Sequence, residues 1–302
     1  MAYGSSVFKV DSRPDGGEFG DGCGAALAWD ILRQVGRHQI PTTIDLSGVQ
    51  HLKPYSLACL CALGKLGKLN GRPIEIVKPR DRECAEHLSR LGVPLFFDCD
   101  WAESGQRDSN LSIRSVSWPP GNDAGEIVEF LAPRADLSPG VFPSMVENLD
   151  EVLLNALTHA VSPIDCLVAG QAFPRTSKVE IAVVDLGQTI RGHLTKNPDH
   201  ADINSDQDAI SKALEDEVTG TPRGQKNRRG EENSGSGLTE LRRYCESGGG
   251  ELTVLSGEHW ITCRTDQEPV IGTLHGGFRG CMVNIRYFTR NNLNPEQKEA
   301  IL

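Results

Sequence analysis

Between Val146 and Ala160 the chain carries two interleaved periodicities that constrain everything around them. Val146, Leu149, Leu153, Ala156, Leu157 and Ala160 recur at three- and four-residue steps, which predicts a helix with one apolar stripe. Glu151, Asn155 and His159 recur at four-residue steps and so share a second, slowly drifting face. The ordinary destination of a polar face is solvent, but such a face usually mixes Glu with Lys. This one carries a carboxylate, an amide and an imidazole. A carboxylate can orient or deprotonate a water. An amide oxygen is a hard neutral ligand suited to a Mg²⁺ that phosphates also hold.

Two later segments supply partners for that helix. Residues 179 to 184 read as an apolar strand ending at Asp185, followed by Leu186-Gly187-Gln188-Thr189-Ile190. A buried aspartate can accept from the exocyclic amine of adenine, and Gly187 leaves room for a base to approach. An Asp-x-Gly at a strand end is also an ordinary turn. Farther on, Ser234-Gly235-Ser236-Gly237-Leu238 opens a helix that runs to Cys245 and is closed by Gly248-Gly249-Gly250. Glycines leading into a helix N-terminus expose backbone N–H groups that can cradle phosphate oxygens. Residues 191 to 234 are polar, with one helix-like segment at 209 to 214, and a stretch of this kind is a lid or disordered. It contains the dense basic cluster Arg223, Lys226, Arg228 and Arg229, which can neutralise phosphates or simply be solvated. Residues 251 to 257 and 280 to 288 read as strands.

In this order the segments resemble a known family. Glu151-x-x-x-Asn155-Ala156-x-x-His159 resembles the N-box of the GHKL (Bergerat-fold, histidine-kinase-like) ATPases. Asp185-x-Gly187-x-x-Ile190 resembles their G1 box, and Gly235-x-Gly237-Leu238 their G2 box. Thr189 departs from the pattern, standing where the family usually has a second glycine. Within the family the chain looks most like the anti-sigma-factor serine kinases, over roughly residues 120 to 290. The resemblance implies an α/β sandwich, with helices on one face of a mixed, mainly antiparallel sheet. It also implies ATP and Mg²⁺ as cofactors. Glu151 would activate the nucleophile and Asn155 would hold the metal. His159 would line the phosphate side and Asp185, with Gly187 and Ile190, would read adenine. Gly235, Ser236, Gly237 and Leu238 would wrap the phosphates under the lid. The activity implied is that of an ATPase or a serine/threonine kinase serving as a nucleotide-dependent regulatory protein. A non-catalytic, ATP-switched protein-binding module stays open beside it.

The first hundred residues alternate strand and helix, which argues an α/β layer. Strands are expected at 8–10, 42–46 and 74–77, and helices at 24–36, 55–69 and 81–91. Ile44-Asp45-Leu46-Ser47-Gly48-Val49, the helix near Tyr55, Ile74-Glu75-Ile76-Val77 and Leu88-Ser89-Arg90-Leu91-Gly92 together resemble a STAS domain, the fold of anti-sigma-factor antagonists. In that family a phosphorylated serine opens the helix after the strand. Here Lys53, Pro54, Tyr55 and Ser56 occupy those positions, with Tyr55 in the serine's place. Ser56, one residue later, is turned about a hundred degrees away on a helix. The resemblance thus implies a degenerate, docking-type STAS-like domain over 1–105, a linker over 106–125 and the GHKL domain over 126–302. Gly20, Gly22, Ala25 and Asp45 also outline a dinucleotide fingerprint. That motif must follow directly on a buried strand, whereas residues 11 to 18 read as loop.

Composition bounds the rest. A chain of 302 residues suits two domains. A net charge of −10 argues against a general nucleic-acid binder. The chain has no run as long as a membrane span, and its N-terminus lacks the pattern of a signal peptide. Nine cysteines without paired C-x-x-C spacing fit free thiols in a reducing cytoplasm. The expected partners are ATP and a protein, of the STAS or sigma-like kind, with a homodimer possible and no membrane.

Overall fold

The computed structural model describes residues 7–11, 42–99, 101, 110–137, 139–176, 178–221 and 237–288. The expected helix at 24–36, the Gly20/Gly22/Ala25 pattern, the basic cluster at 223–229, Gly235 and Ser236 lie outside these residues. The architecture is mixed α/β.

Three short strands, β1 (Val7–Asp11), β2 (Thr43–Gly48) and β3 (Glu75–Val77), form a parallel sheet in the order β1-β2-β3. Helix α1 (Pro54–Leu69) connects β2 to β3, and α2 (Arg82–Arg90) follows β3. Each starts where its sequence dictates. Pro54 sits at the first position of α1, where a missing N–H costs nothing. Asp81 caps α2 by accepting from the Cys84 N–H at 2.8 Å.

The second sheet has five strands in the order β4-β5-β6-β8-β7, antiparallel at every pairing. They are β4 (Asn110–Val116), β5 (Cys166–Phe173), β6 (Lys178–Asp185), β7 (Gly250–Arg264) and β8 (Gln267–Phe288). The mainly antiparallel sheet expected is therefore antiparallel throughout the described strands. Two expectations need correction. Residues 106–125 do not serve as a linker along their length, because β4 pairs with β5 and α3 (Asp123–Leu131) starts within them. Leu111, Ile113 and Val116 are all buried, although the Ser/Asn/Pro-rich surroundings hid their pattern. The last two strands are also longer than expected, forming one extended hairpin that turns at residues 265 and 266.

Alternation along the strands makes two buried faces. Val168, Val179, Ile181, Val183, Val254, Val283 and Ile285 face α3, α4 (Phe142–Thr158), α6 (Asp206–Ala213) and α7 (Gly237–Tyr244), whose residues share their core. The opposite face, carrying Leu167, Ala169, Ala182, Val184, Leu255 and Met282, belongs to the same core as α1 and strands β2 and β3. The helices that follow residue 122 thus pack on one face of this sheet, and the other face is covered by α1 of the parallel layer. Helix α1 is buried nearly all round, from Pro54 through Gly64, because it packs on β5 and β6 while its remaining surface meets the parallel layer. A helix apolar on every side has to lie inside a core, and this one joins the two sheets. Lys65 of α1 adds an ion pair at 2.5 Å to Asp165, at the start of β5.

Beyond α1 on that face the alternation turns polar. Glu180, Arg286 and Glu251 stand directly opposite one another across β6, β8 and β7, each no more than 6% exposed. Arg286 lies 3.2 Å from Glu180 and 2.7 Å from Glu251.

Candidate functional site: a cavity under helix α4

Helix α4 buries Met145, Asn148, Leu149, Val152 and Leu153. The apolar stripe is therefore rotated slightly from the expected one, so that Val146, Ala156 and Leu157 are only partly buried. The rotation leaves Glu151, Asn155 and His159 along one wall of a cavity of about 120 Å³. Asp185, Ile190, Gly237 and Leu238 line the same cavity. Of the predicted site residues that are described, Gly187 alone is not in the lining; it underpins the wall.

The end of α4 and the turn after β6 are closed against each other. A Cβ on Gly187 would lie 1.9 Å from the Ala160 carbonyl oxygen, so only glycine lets the two backbones meet. The Gln188 N–H donates to that carbonyl at 2.6 Å, and the Gln188 side chain donates to the His159 carbonyl. The polar helix face and the Asp-x-Gly turn, far apart in sequence, form one structural unit.

Asp185 ends β6 with 3% exposure. Burial pushes its carboxyl up to about 7, against the opposing effect of hydrogen bonds from the backbone N–H groups of Gly187 and Cys281. A carboxyl at that balance point gains from any polar group that a ligand brings to it.

Thr189 stands in a conformation open to any residue. Its φ of −71° and extended ψ need no glycine, and its hydroxyl caps α5 (Ile190–Leu194) by accepting from the Gly192 N–H at 3.1 Å. The following N–H, of Ile190, donates to the Ser256 hydroxyl at 2.9 Å, and Ser256 donates to the Gly280 carbonyl at 2.8 Å. The turn is thereby fixed to β7 and β8.

Sequence reasoning missed the far wall. Gln188, Thr189, His193, Leu194, Ala213, Val218, Thr219 and Gly220 also line the cavity. His193 of α5 lies against His159, with ring centroids 4.4 Å apart. Burial pushes the His193 imidazole down to about 4, with His159 and Lys196 adding to the effect. The stretch 191–234, expected as lid or disorder, is folded as far as residue 221. Ser205 caps α6. Asp206 accepts from the Glu258 N–H at 3.0 Å and lies 3.4 Å from Arg191. The Asn197 amide donates to the Thr219 carbonyl at 3.0 Å and holds the wall at 218–220. The caps at Thr189, Asn197 and Ser205 were the available signals, and polarity masked them. Residues 222–236 lie outside the described residues.

The start of α7 closes the cavity near Glu151, since a Cβ on Gly237 would come within 2.8 Å of the Glu151 carboxylate. Among the described residues no group of three or more His, Cys, Asp or Glu side chains could hold a metal ion by itself. Glu151 and Asn155 bring to the cavity side-chain oxygens of the hard type that Mg²⁺ takes. The eight described cysteines are free thiols. No helix among the described residues is long and apolar enough to cross a membrane.

A scan against protein-family models finds no match to this chain, and a search of curated proteins finds no similar sequence.

Proposed function

We propose that the cavity under α4 binds Mg²⁺-ATP and that the chain is a GHKL-type ATPase or anti-sigma-type serine/threonine kinase, acting as a nucleotide-dependent regulator. One observation carries this reading. Three segments singled out for separate chemical reasons, at 151–159, 185–190 and 237–238, converge on a single cavity.

The roles follow from the positions. Asp185 accepts from the adenine amine, at the closed end formed with Thr189 and Ile190. Glu151, beside the start of α7, orients or deprotonates the attacking hydroxyl or water. Asn155, one turn along the same helix face, offers its amide oxygen to the metal. Asn155 would hold Mg²⁺, which would supply the charge neutralisation that, with positioning, is most of what phosphoryl transfer needs. The cavity is smaller than the roughly 300–1,000 Å³ of common ligand sites, so the adenine end is the part preformed here and the phosphates reach toward Glu151 and Gly237. Titration calorimetry with Mg²⁺-ATP, followed by phosphate release on the same sample, tests the proposal. The expected result is binding with slow turnover, and absence of binding would overturn it.

A second reading, an ATP-switched binding module without turnover, is favoured by one feature. Helix α1 joins the nucleotide sheet to the parallel layer, so a change at the cavity has a packed route to the other layer. The parallel sheet with its two helices supports the STAS-like reading of that layer. Tyr55 and Ser56, at 1% and 0% exposure, are inaccessible as phosphate acceptors in the folded chain. A docking surface fits that layer better than a substrate does. A partner of the STAS or sigma-like kind, and a cytoplasmic location, belong to the same proposal.

A further inference from the structure

A second cleft lies on the other side of the molecule, between the parallel layer and the end of β5. It has a volume of about 580 Å³ and is bounded by Gln50 and His51 after β2, by Glu83, Cys84, His87 and Arg90 of α2, and by residues 171–176. Nothing in the proposed ATP chemistry uses it. We propose that this cleft is a binding site for a small phosphate- or carboxylate-bearing anion.

The argument begins with charge. The chain as a whole is at −10, yet His51, His87, Arg90 and Arg175 converge here against the single lining carboxylate of Glu83. Lys53 and Lys178 stand nearby, over the ring of Phe173 at 5.3 and 4.4 Å. Lys178 is partly spoken for by Glu180 at 3.4 Å. Glu86 does little to offset Arg90. It binds Arg82 at 2.8 Å and approaches the Arg90 guanidinium only to 3.9 Å. Glu83, His87 and Arg90 follow at four- and three-residue steps, so one face of α2 presents them together.

Unused hydrogen-bonding capacity points the same way. The Arg90 side chain is only 15% exposed, and its buried Nε has no hydrogen-bond partner among the described residues. Buried guanidinium groups are ordinarily satisfied by planar oxygen acceptors. The Oε1 of Gln171, on the facing strand, is likewise buried and unpaired among the described residues. The two ends of an amide are interchangeable by rotation, so Gln171 can offer donors to the cleft instead. A carboxylate or phosphoryl group would satisfy Arg90 and Gln171 together. The concave shape suits a small molecule rather than a polymer.

The imidazoles add a signature. Burial pushes His87 down to about 4, with His51, stacked at a centroid distance of 6.5 Å, and Arg90 adding repulsion. The titratable and charged groups lining the cleft with it are His51, Glu83, Arg90 and Arg175, Glu86 lies one residue before it on α2, and the Cys84 thiol is pushed up to about 12 and so neutral. An anion beside Arg90 cancels that repulsion and raises the His87 pKa. By linkage, an anion of fixed charge binds more tightly as the pH falls toward the His87 pKa.

The test follows ring signals of the histidines by NMR while the full chain is titrated with inorganic phosphate, citrate or chloride. Saturable shifts of His51 and His87, with His159 and His193 unmoved, are expected for phosphate or citrate and not for chloride. That selectivity separates this cleft from phosphate entering the ATP cavity, so the outcome is independent of the nucleotide reading. The stronger of the two probes identifies the source of the anion. Arg90→Gln should weaken binding about tenfold or more, as loss of a charged hydrogen bond does. Arg175→Gln, at an exposed position, should weaken it without disturbing the fold. Absence of a saturable shift at His51 and His87, or equal affinity in both variants and wild type, would overturn the proposal.

Discussion

Gly187 and Ala160 meet backbone to backbone, with room for a hydrogen atom and none for a methyl group: a Cβ on Gly187 would sit 1.9 Å from the Ala160 carbonyl oxygen. This contact ties the end of α4 to the turn after Asp185, and so Asn155 to the Asp185 side of the cavity. Gly187→Ala should cost about 1–3 kcal/mol, the usual scale of overpacking, and weaken ATP binding more than that loss explains. Urea denaturation and calorimetry on the same preparation measure the two effects. A variant that folds and binds like wild type would show that the contact does not set the site.

Asn155 and Glu151 should separate binding from turnover. Asn155→Ala removes the amide oxygen offered to the metal and is expected to lose most Mg²⁺-dependent ATP affinity. Glu151→Gln keeps the size of the side chain and is expected to retain affinity while phosphate release falls by about 10²–10⁴. Equal phosphate release by Glu151→Gln and wild type would favour the switch reading over the enzyme.

The sequence made the near wall of the cavity legible because chemistry and periodicity coincide there. Glu151, Asn155 and His159 repeat on a helix whose apolar residues also repeat, and Asp185 ends a run of β-branched residues. The far wall lacked such coincidence. His193 and residues 218–220 are placed by three caps and by Asp206, local hydrogen bonds that leave no hydrophobic rhythm. The position of α1 was hidden for a different reason. Its Leu/Ala/Cys run announces burial, but composition does not say that the second side would be covered by β5 and β6. Strand β4 was lost because Ser112, Arg114 and Ser115 dilute its three buried apolar residues within a polar stretch.

Arg286 should be the most sensitive charged residue of the sheet. It is 5% exposed and stands between Glu180 and Glu251, at 0% and 6%. Arg286→Ala leaves two buried carboxylates without it, and breaking a buried pair this way costs about 3–5 kcal/mol. Lys178 and Arg264 still reach Glu180 and Glu251, so Arg286→Met combined with Glu180→Gln and Glu251→Gln should recover only the part of the loss due to the buried carboxylate charge. Chemical denaturation of wild type and the two variants decides it, and a single variant within experimental error of wild type would contradict the assignment.

The pH dependence of stability should carry two opposed slopes. Asp185 rises to about 7 on folding, so its contribution is fully present below the ordinary carboxyl pKa of 3.8 and is lost as pH climbs toward 7. His193 falls to about 4 from 6.5, so its contribution is present above 6.5 and is lost as pH drops through 4. Relative to wild type, Asp185→Asn should gain stability as pH rises from 4 to 7. His193→Gln should gain as pH falls from 6.5 to 4. Denaturation midpoints at several pH values test both signs, and parallel curves for all three proteins would show that neither group titrates anomalously.

Helix α1 makes a last prediction about how the layers hold together. Leu57, Leu60 and Leu63 are at most 2% exposed and belong to one core with Ile44, Leu46, Ala182 and Val184. Because β2, α1 and β6 share that core, the parallel layer and the antiparallel sheet should unfold in one step rather than two. Leu60→Ala, truncating a side chain in the middle of α1, should cost about 2–5 kcal/mol and lower the midpoint of both layers together. The four tryptophans of the chain include Trp260 on the long hairpin and Trp101 beside the parallel layer. Single-tryptophan variants retaining one or the other can therefore report the two layers separately. Coincident denaturation curves are expected in both the wild-type and the Leu60→Ala backgrounds. Separate transitions, with only the Trp101 signal shifted by Leu60→Ala, would make the layers independent domains and remove the packed route from the nucleotide cavity to the parallel sheet.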